Sequence, residues 1–154
     1  MRKIKEQTSL ETKVIKNKFG EILVDLDKSI HFSLGILGMN ASKEFYLAPC
    51  PVQKFKQFLL MQSAQTDDLV FMVLPLDIDN QNYIKLQDLD EAFKQIGINK
   101  DNASIVLIAA TKEDQDGVKR ITVNVRAPIF IDSEKKSAIQ YVLHNNEYDV
   151  QQFL

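Results

Sequence analysis

The chain's conventional catalytic groups are few: two histidines, His31 and His144, and one cysteine, Cys50. No Gly-x-Ser-x-Gly, no phosphate-binding Gly-x4-Gly-Lys-Ser/Thr and no His-Glu-x-x-His occurs. Acyl transfer at a nucleophile elbow, P-loop nucleotide chemistry and zinc proteolysis therefore lack their local signatures. His31 lies between Ile30 and Phe32 in an alternating stretch and is expected on the opposite, solvent face; His144 opens the polar turn His144-Asn145-Asn146. Cys50 sits between Pro49 and Pro51 with no neighbouring cation to favour its thiolate. A single cysteine supports neither an intramolecular disulfide nor a four-cysteine zinc site, which suits a reducing cytoplasm. The stretch from Asp77 to Asp88 places oxygen side chains at positions 1, 3, 5 and 12 of a calcium-loop register. However, its position 6 is Asn82 rather than glycine, its position 12 is Asp88 rather than glutamate, and a strand ending in Pro75 precedes it. It is read as an acidic strand-to-helix loop. No metal, cofactor or catalytic residue is expected.

The elements that hold these groups are mostly strands. Ile22, Val24 and Leu26 alternate with Leu23, Asp25 and Asp27, and Ile30-His31-Phe32 repeats the alternation, so a hairpin is expected between them. Gly35 and Gly38 bracket Ile36-Leu37 in a shaped loop, because glycine alone adopts positive φ cheaply. Short apolar runs follow at 44–48, 58–62, 69–74, 105–110, 121–125, 129–131 and 139–143. The expected helix is 86–96, with Leu86, Leu89, Phe93 and Ile96 on one face and Gly97 placed to end it. Nine or ten strands with one helix predict a mainly β fold, a small antiparallel β-barrel or roll with that helix docked on it. At 154 residues and 45% hydrophobic composition the chain is one domain. Residues 1–11 are a loose basic lead-in and residues 12–154 the barrel.

The net charge of −2 hides an asymmetry. Residues 1–20 carry six Lys/Arg against two glutamates, while the rest carries 13 basic and 19 acidic groups. Six scattered cations without interleaved aromatics make a weak nucleic-acid footprint, and an acidic body repels phosphate. No direct nucleic-acid binding and no small-molecule substrate are expected. A basic protein partner fits better, with Asp77 and Asp79 among the steering charges. No apolar run reaches the ~20 residues of a membrane span. A cytoplasmic protein is expected.

The run Thr122-Val123-Asn124-Val125-Arg126-Ala127-Pro128-Ile129-Phe130-Ile131-Asp132 resembles the Thr-x-Asn-Leu-x-Ala-Pro-Ile-x-Ile-Asn signature of the FliW flagellar assembly factors. Phe19-Gly20-Glu21-Ile22, Phe32-x-x-Gly35-Ile36-x-Gly38, Leu69-Val70-Phe71 with Pro75, and 136–143 with Tyr148 are similar to further family motifs in the same order. The resemblance implies a β-barrel regulator without enzymatic activity. It would bind and antagonise CsrA, a small basic RNA-binding dimer that represses flagellin mRNA, and would bind flagellin as a chaperone-like partner switch. The family's loop prolines are replaced here by Leu34 and Leu37 and its following phenylalanine by Met39, which loosens the loop. Partner contacts are expected at Leu34, Gly35, Ile36, Gly38, Met39, Asp77, Asp79, Asn124 and Arg126. Val123 and Val125 are expected in the core. Arg126 is expected on the exposed face, where its removal would change stability by less than ~0.5 kcal/mol. The alternative reading, from the residues alone, is a small-ligand barrel or an enzyme whose His31, Cys50 and carboxylates meet only in space.

Overall fold

The computed structural model describes residues 11–39 and 41–154, so the lead-in at 1–10 lies outside the described residues. Period-two alternation produces eleven strands among them. These are β1 (Thr12–Asn17), β2 (Gly20–Asp25), β3 (Ile30–Phe32), β4 (Glu44–Pro49), β5 (Leu59–Ser63) and β6 (Val70–Leu76). After the helix α1 (Leu86–Ile96) come β7 (Ala103–Glu113), β8 (Lys119–Val123), β9 (Ile129–Asp132), β10 (Ser137–Gln140) and β11 (Gln152–Phe153). The main sheet runs β9-β10-β3-β4-β5-β6-β7-β8-β11, and β9 pairs again with β7. Seven strands thereby close into a barrel, from which β8 and β11 extend as a short flap off β7. All neighbours are antiparallel except β10 and β3, whose parallel seam sets Ser137 opposite His31 and Ala138 opposite Phe32.

Alternation sorts the apolar side chains into two cores. Phe32, Phe45, Met61, Val73, Val106, Ile129, Ile131 and Ala138, all from barrel strands, pack together and fill the barrel. The opposite faces of the same strands carry Leu60, Met72, Leu107 and Phe130, against which Ile15, Ile22 and Val24 of the β1–β2 hairpin and Leu89, Ala92 and Phe93 of α1 are laid. The helix ends where expected, with Gly97 at φ 71° and its N–H bonded to the carbonyl of Phe93. Its inward face is narrower than expected: Leu86, in the first turn, is exposed.

The hairpin expected between residues 22–26 and 30–32 does not form. β2 pairs with β1 (Ile15 opposite Ile22), Leu26–Lys28 is a 3-10 turn, and β3 joins β4 and β10. The turn is set by Asp25, whose carboxylate accepts the Asp27 N–H at 3.0 Å and redirects the chain from the outer hairpin into the barrel. The two ends of the barrel differ. One is stoppered by the Gly35–Gly38 loop, which pushes Ile36 into the interior core. The other, beside Ser104, Lys28 and Lys136, is open.

Candidate functional site

The signature run proves to be a bulge. Val123 of β8 lies opposite Ala109 of β7 and Ile129 of β9 lies opposite Val106, so residues 124–128 face only Leu107 and Ile108 of β7. The surplus is folded into a turn: Asn124 donates its N–H to the Ile108 carbonyl at 2.9 Å and accepts the Ala127 N–H on its side-chain oxygen at 3.1 Å. Val125 and Ala127 are buried, as is Val123. The outward bulge backbone is bonded to the segment that follows β10. The N–H groups of Val125 and Arg126 donate to the Asp149 carbonyl, and the carbonyls of Arg126 and Pro128 accept from Leu143 and Tyr141.

Arg126 does not project freely as expected. Its Nε donates to the Tyr148 carbonyl at 2.9 Å and its Nη2 to the Asn146 carbonyl at 2.7 Å. The side chain is half-buried and holds residues 146–148 against the bulge.

Tyr148 completes the same fastening. Its hydroxyl accepts the Lys85 N–H at 3.0 Å and donates to the Asp88 carboxylate, tying the segment to the first turn of α1. Burial, then the hydrogen bond to Asp88, pushes the phenol from 10.0 up to about 12. A phenol that ionises later when folded contributes stability that is fully present below pH 10 and is lost as pH rises through about 12. The unfolding free energies of wild type and Tyr148→Phe from denaturant titration should therefore converge above pH 10, having differed by about 1–2 kcal/mol at neutral pH. A gap constant with pH would show that the hydroxyl's protonation is not part of the fastening.

This stitching shapes an open groove of about 730 Å³ between the end of β6, the loop 77–85, the bulge and the 147–152 segment. Asp77, Glu147 and Asp149 line it together with the amides of Asn80, Gln81, Asn82 and Gln152. No lysine or arginine is among its walls; Lys85 reaches Glu147 from the rim at 3.5 Å. Asp77 also lines an adjoining polar cleft of about 580 Å³ with Asp79 and Asp101, where Lys100 stands 3.8 Å from both Asp79 and Asp90. The loop is internally braced: the Asp77 carboxylate accepts the Asp79 N–H at 3.1 Å, and the Gln81 side chain bonds the backbone of Tyr83 and Ile84. Among the described residues no group of three or more His, Cys, Asp or Glu side chains is placed to hold a metal ion.

The structure divides the glycine-loop residues. Leu34, Leu37 and Met39 are exposed by 70%, 53% and 44%, whereas Ile36 is buried and anchors the loop. Gly35 and Gly38 take φ of 69° and 80°, which turns the chain on either side of that anchor. Where the family pattern has proline, Leu37 supplies an N–H, which donates to the buried Gln140 side chain at 2.9 Å. The Gln140 side-chain Nε2 in turn donates to the Ala127 carbonyl at 3.1 Å. Gln140 thus joins loop and bulge, a role the sequence reading missed; its one signal was a polar residue in step with the interior-facing Ala138.

The groups that the alternative reading needed together are apart. His31 is on the surface, 2.6 Å from Glu44, His144 is exposed beside Tyr141, and Cys50 is buried in the outer core.

Comparison with known proteins shows which sequences and which fold the chain resembles. A sequence model of the FliW family, described as FliW protein, matches residues 13–154. The chain is 30% identical over 133 residues to the flagellar assembly factor FliW of Oceanobacillus iheyensis, covering 86% of each chain. It is 29% identical over 143 residues to that of Bacillus pumilus (92% of this chain, 95% of the relative) and 28% identical over 139 residues to that of Natranaerobius thermophilus (88% and 87%). A crystal structure of the flagellar assembly factor FliW superposes with a TM-score of 0.67 at 25% identity, covering 93% of this chain and 96% of the other.

Proposed function

We propose, from the premise that this chain belongs to the FliW family, that it is a cytoplasmic flagellar assembly factor that works by binding proteins and catalyses no reaction. Its partners in this reading are a CsrA-like basic RNA-binding dimer, which it antagonises to relieve repression of flagellin mRNA, and flagellin, which competes for it. The observation that carries the reading is the groove beside the signature bulge, walled by Asp77, Glu147 and Asp149 without a cationic lining residue. Such a surface attracts a basic partner and repels RNA, which separates protein antagonism from competition for the message. The exposed Leu34, Leu37 and Met39 form a second, apolar face, joined to the bulge through Gln140.

The test is capture and kinetics with the cognate proteins. Purified CsrA and flagellin should each bind, and recovery of neither would end this assignment. For CsrA, the association rate should fall as salt screens charges beyond ~8–10 Å. Asp77→Lys with Asp79→Lys should lower it by about tenfold or more at low salt. Stability should fall by no more than about 0.5–1.5 kcal/mol, since the Asp77 carboxylate makes one exposed hydrogen bond, to the Asp79 N–H, and the highly exposed Asp79 carboxylate pairs with Lys100 only at 3.8 Å. An association rate indifferent to both salt and reversal would leave the acidity with no part in recognition.

A further inference from the structure

We propose that the open end of the barrel is a binding site for a small aliphatic carboxylate, distinct from the groove beside the signature bulge and adjoining the acidic cleft at Ser104. The end opposite the Ile36 stopper holds a cavity of about 370 Å³. That lies toward the lower end of the ~300–1,000 Å³ usual for ligand sites, and barrel mouths are a preferred place for them.

Its floor is set by strand register. Ile30, Leu47 and Ile131 belong to the interior core, and Ser104, paired opposite Ile131, turns its hydroxyl to the same side. The barrel's larger interior side chains, Phe32, Phe45 and Met61, are buried deeper, so a ligand enters only the mouth and meets an aliphatic wall.

The rim is cationic. Lys28 and Lys136 both line the cavity and both are exposed. The one acid present, Asp132, is buried and already accepts the N–H groups of Glu134 and Lys135 at 3.0 and 3.1 Å, so its charge is committed to the β9–β10 turn.

Lys136 adds an independent sign. It is the one non-glycine residue at positive φ among those described, at 52°, where glycine would be the relaxed choice. That conformation closes the β9–β10 hairpin turn after the residues capped by Asp132 and fixes the Lys136 side chain over the mouth. Its ammonium donates to the Asp27 carbonyl at 2.9 Å, bridging the mouth from the β9–β10 turn to the 3-10 turn that carries Lys28. An aliphatic tail on Ile30, Leu47 and Ile131 would leave its carboxylate between these two ammonium groups.

Titration with sodium hexanoate, followed by methyl NMR of the intact protein, tests the proposal. The Ile30, Leu47 and Ile131 methyl signals should shift saturably. Hexylammonium, of equal length and opposite charge, should leave them unmoved. Lys28→Ala should weaken hexanoate by about two- to fivefold, the scale of one solvent-exposed ion pair. Lys136→Gly, which relaxes the turn while removing the second ammonium, should weaken it similarly. Ser104→Trp, at an exposed position that fills the mouth, should abolish binding while the protein stays folded. Equal binding of both probes, unshifted floor methyls, or unimpaired hexanoate binding in Ser104→Trp would each overturn the site. Ser104 also lines the cleft of Asp77 and Asp79, so it is the probe pair and the Lys28 and Lys136 variants, at residues outside that cleft and outside the groove, that separate this proposal from the protein-binding role.

Discussion

Phe130→Ala is expected to destabilise the protein by about 3–5 kcal/mol, the cost of truncating a large buried aromatic. Phe130 is fully buried at the centre of the outer core. Its ring meets that of Phe93 on α1 edge-on, with centroids 5.3 Å apart, and that of Tyr141 at 6.3 Å. An eleven-residue helix is marginal alone and exists because Leu89, Ala92 and Phe93 are covered. The truncation removes the floor under Phe93, so loss of helical signal should accompany the fall in the urea midpoint. The variant's groove would suffer too, because α1 is the anchor for Tyr148 through Asp88. Phe130→Leu, which keeps most of the volume, should cost clearly less. A loss below about 1 kcal/mol for the alanine variant would mean that the helix is held by something other than this packing.

Arg126→Ala should cost about 1.5–3 kcal/mol, the range for hydrogen bonds made by a charged group. This reverses the expectation drawn from strand alternation, which placed the side chain free in solvent. The guanidinium bonds the carbonyls of Asn146 and Tyr148 at once. Lysine should rescue poorly, since one ammonium on a flexible stem does not reproduce the planar two-pronged donor. Hydrogen exchange gives the local readout: the Val125 and Arg126 amides, both donors to the Asp149 carbonyl, should lose protection before the barrel amides do. Binding of a basic partner should weaken in parallel, because Glu147 and Asp149 ride on the released segment. A melting temperature within a degree of wild type, with binding selectively lost, would return Arg126 to the role of a contact residue.

Where the pattern was local, it was legible. Leu89 and Phe93 fall on one helical face, Gly97 ends that helix, and Val123 is buried by strict alternation. The barrel class followed from many short strands. What escaped is non-local. β1 has neighbouring Val14 and Ile15 rather than clean alternation, so nothing nearby marked it as the partner of β2. The pairing of Ser137 with His31 leaves no trace in either segment taken singly. Arg126 fell to the same limit, since its carbonyl partners lie some twenty residues downstream and backbone acceptors carry no sequence identity. Of the candidate surface, the charge was visible beforehand, but the groove exists only because Tyr148 and Arg126 hold residues 146–149 in place.

The parallel seam between β3 and β10 also dictates an order of events in time. His31 and Phe32, near the start of the described chain, wait for partners at 137–138, and the β9 strand that closes the circle on β7 is itself made late. Chain closure over such a separation is entropically slow, and folds dominated by such pairings assemble in milliseconds to seconds rather than microseconds. A ribosome adds only ~5–20 residues per second. The strands from β3 to β7 can therefore associate as an open, curling sheet for several seconds before their ring can shut. Throughout that interval β3 presents an unpaired edge flanked by Ile30 and Phe32, which makes nascent chains, rather than the finished barrel, the form most exposed to misassociation.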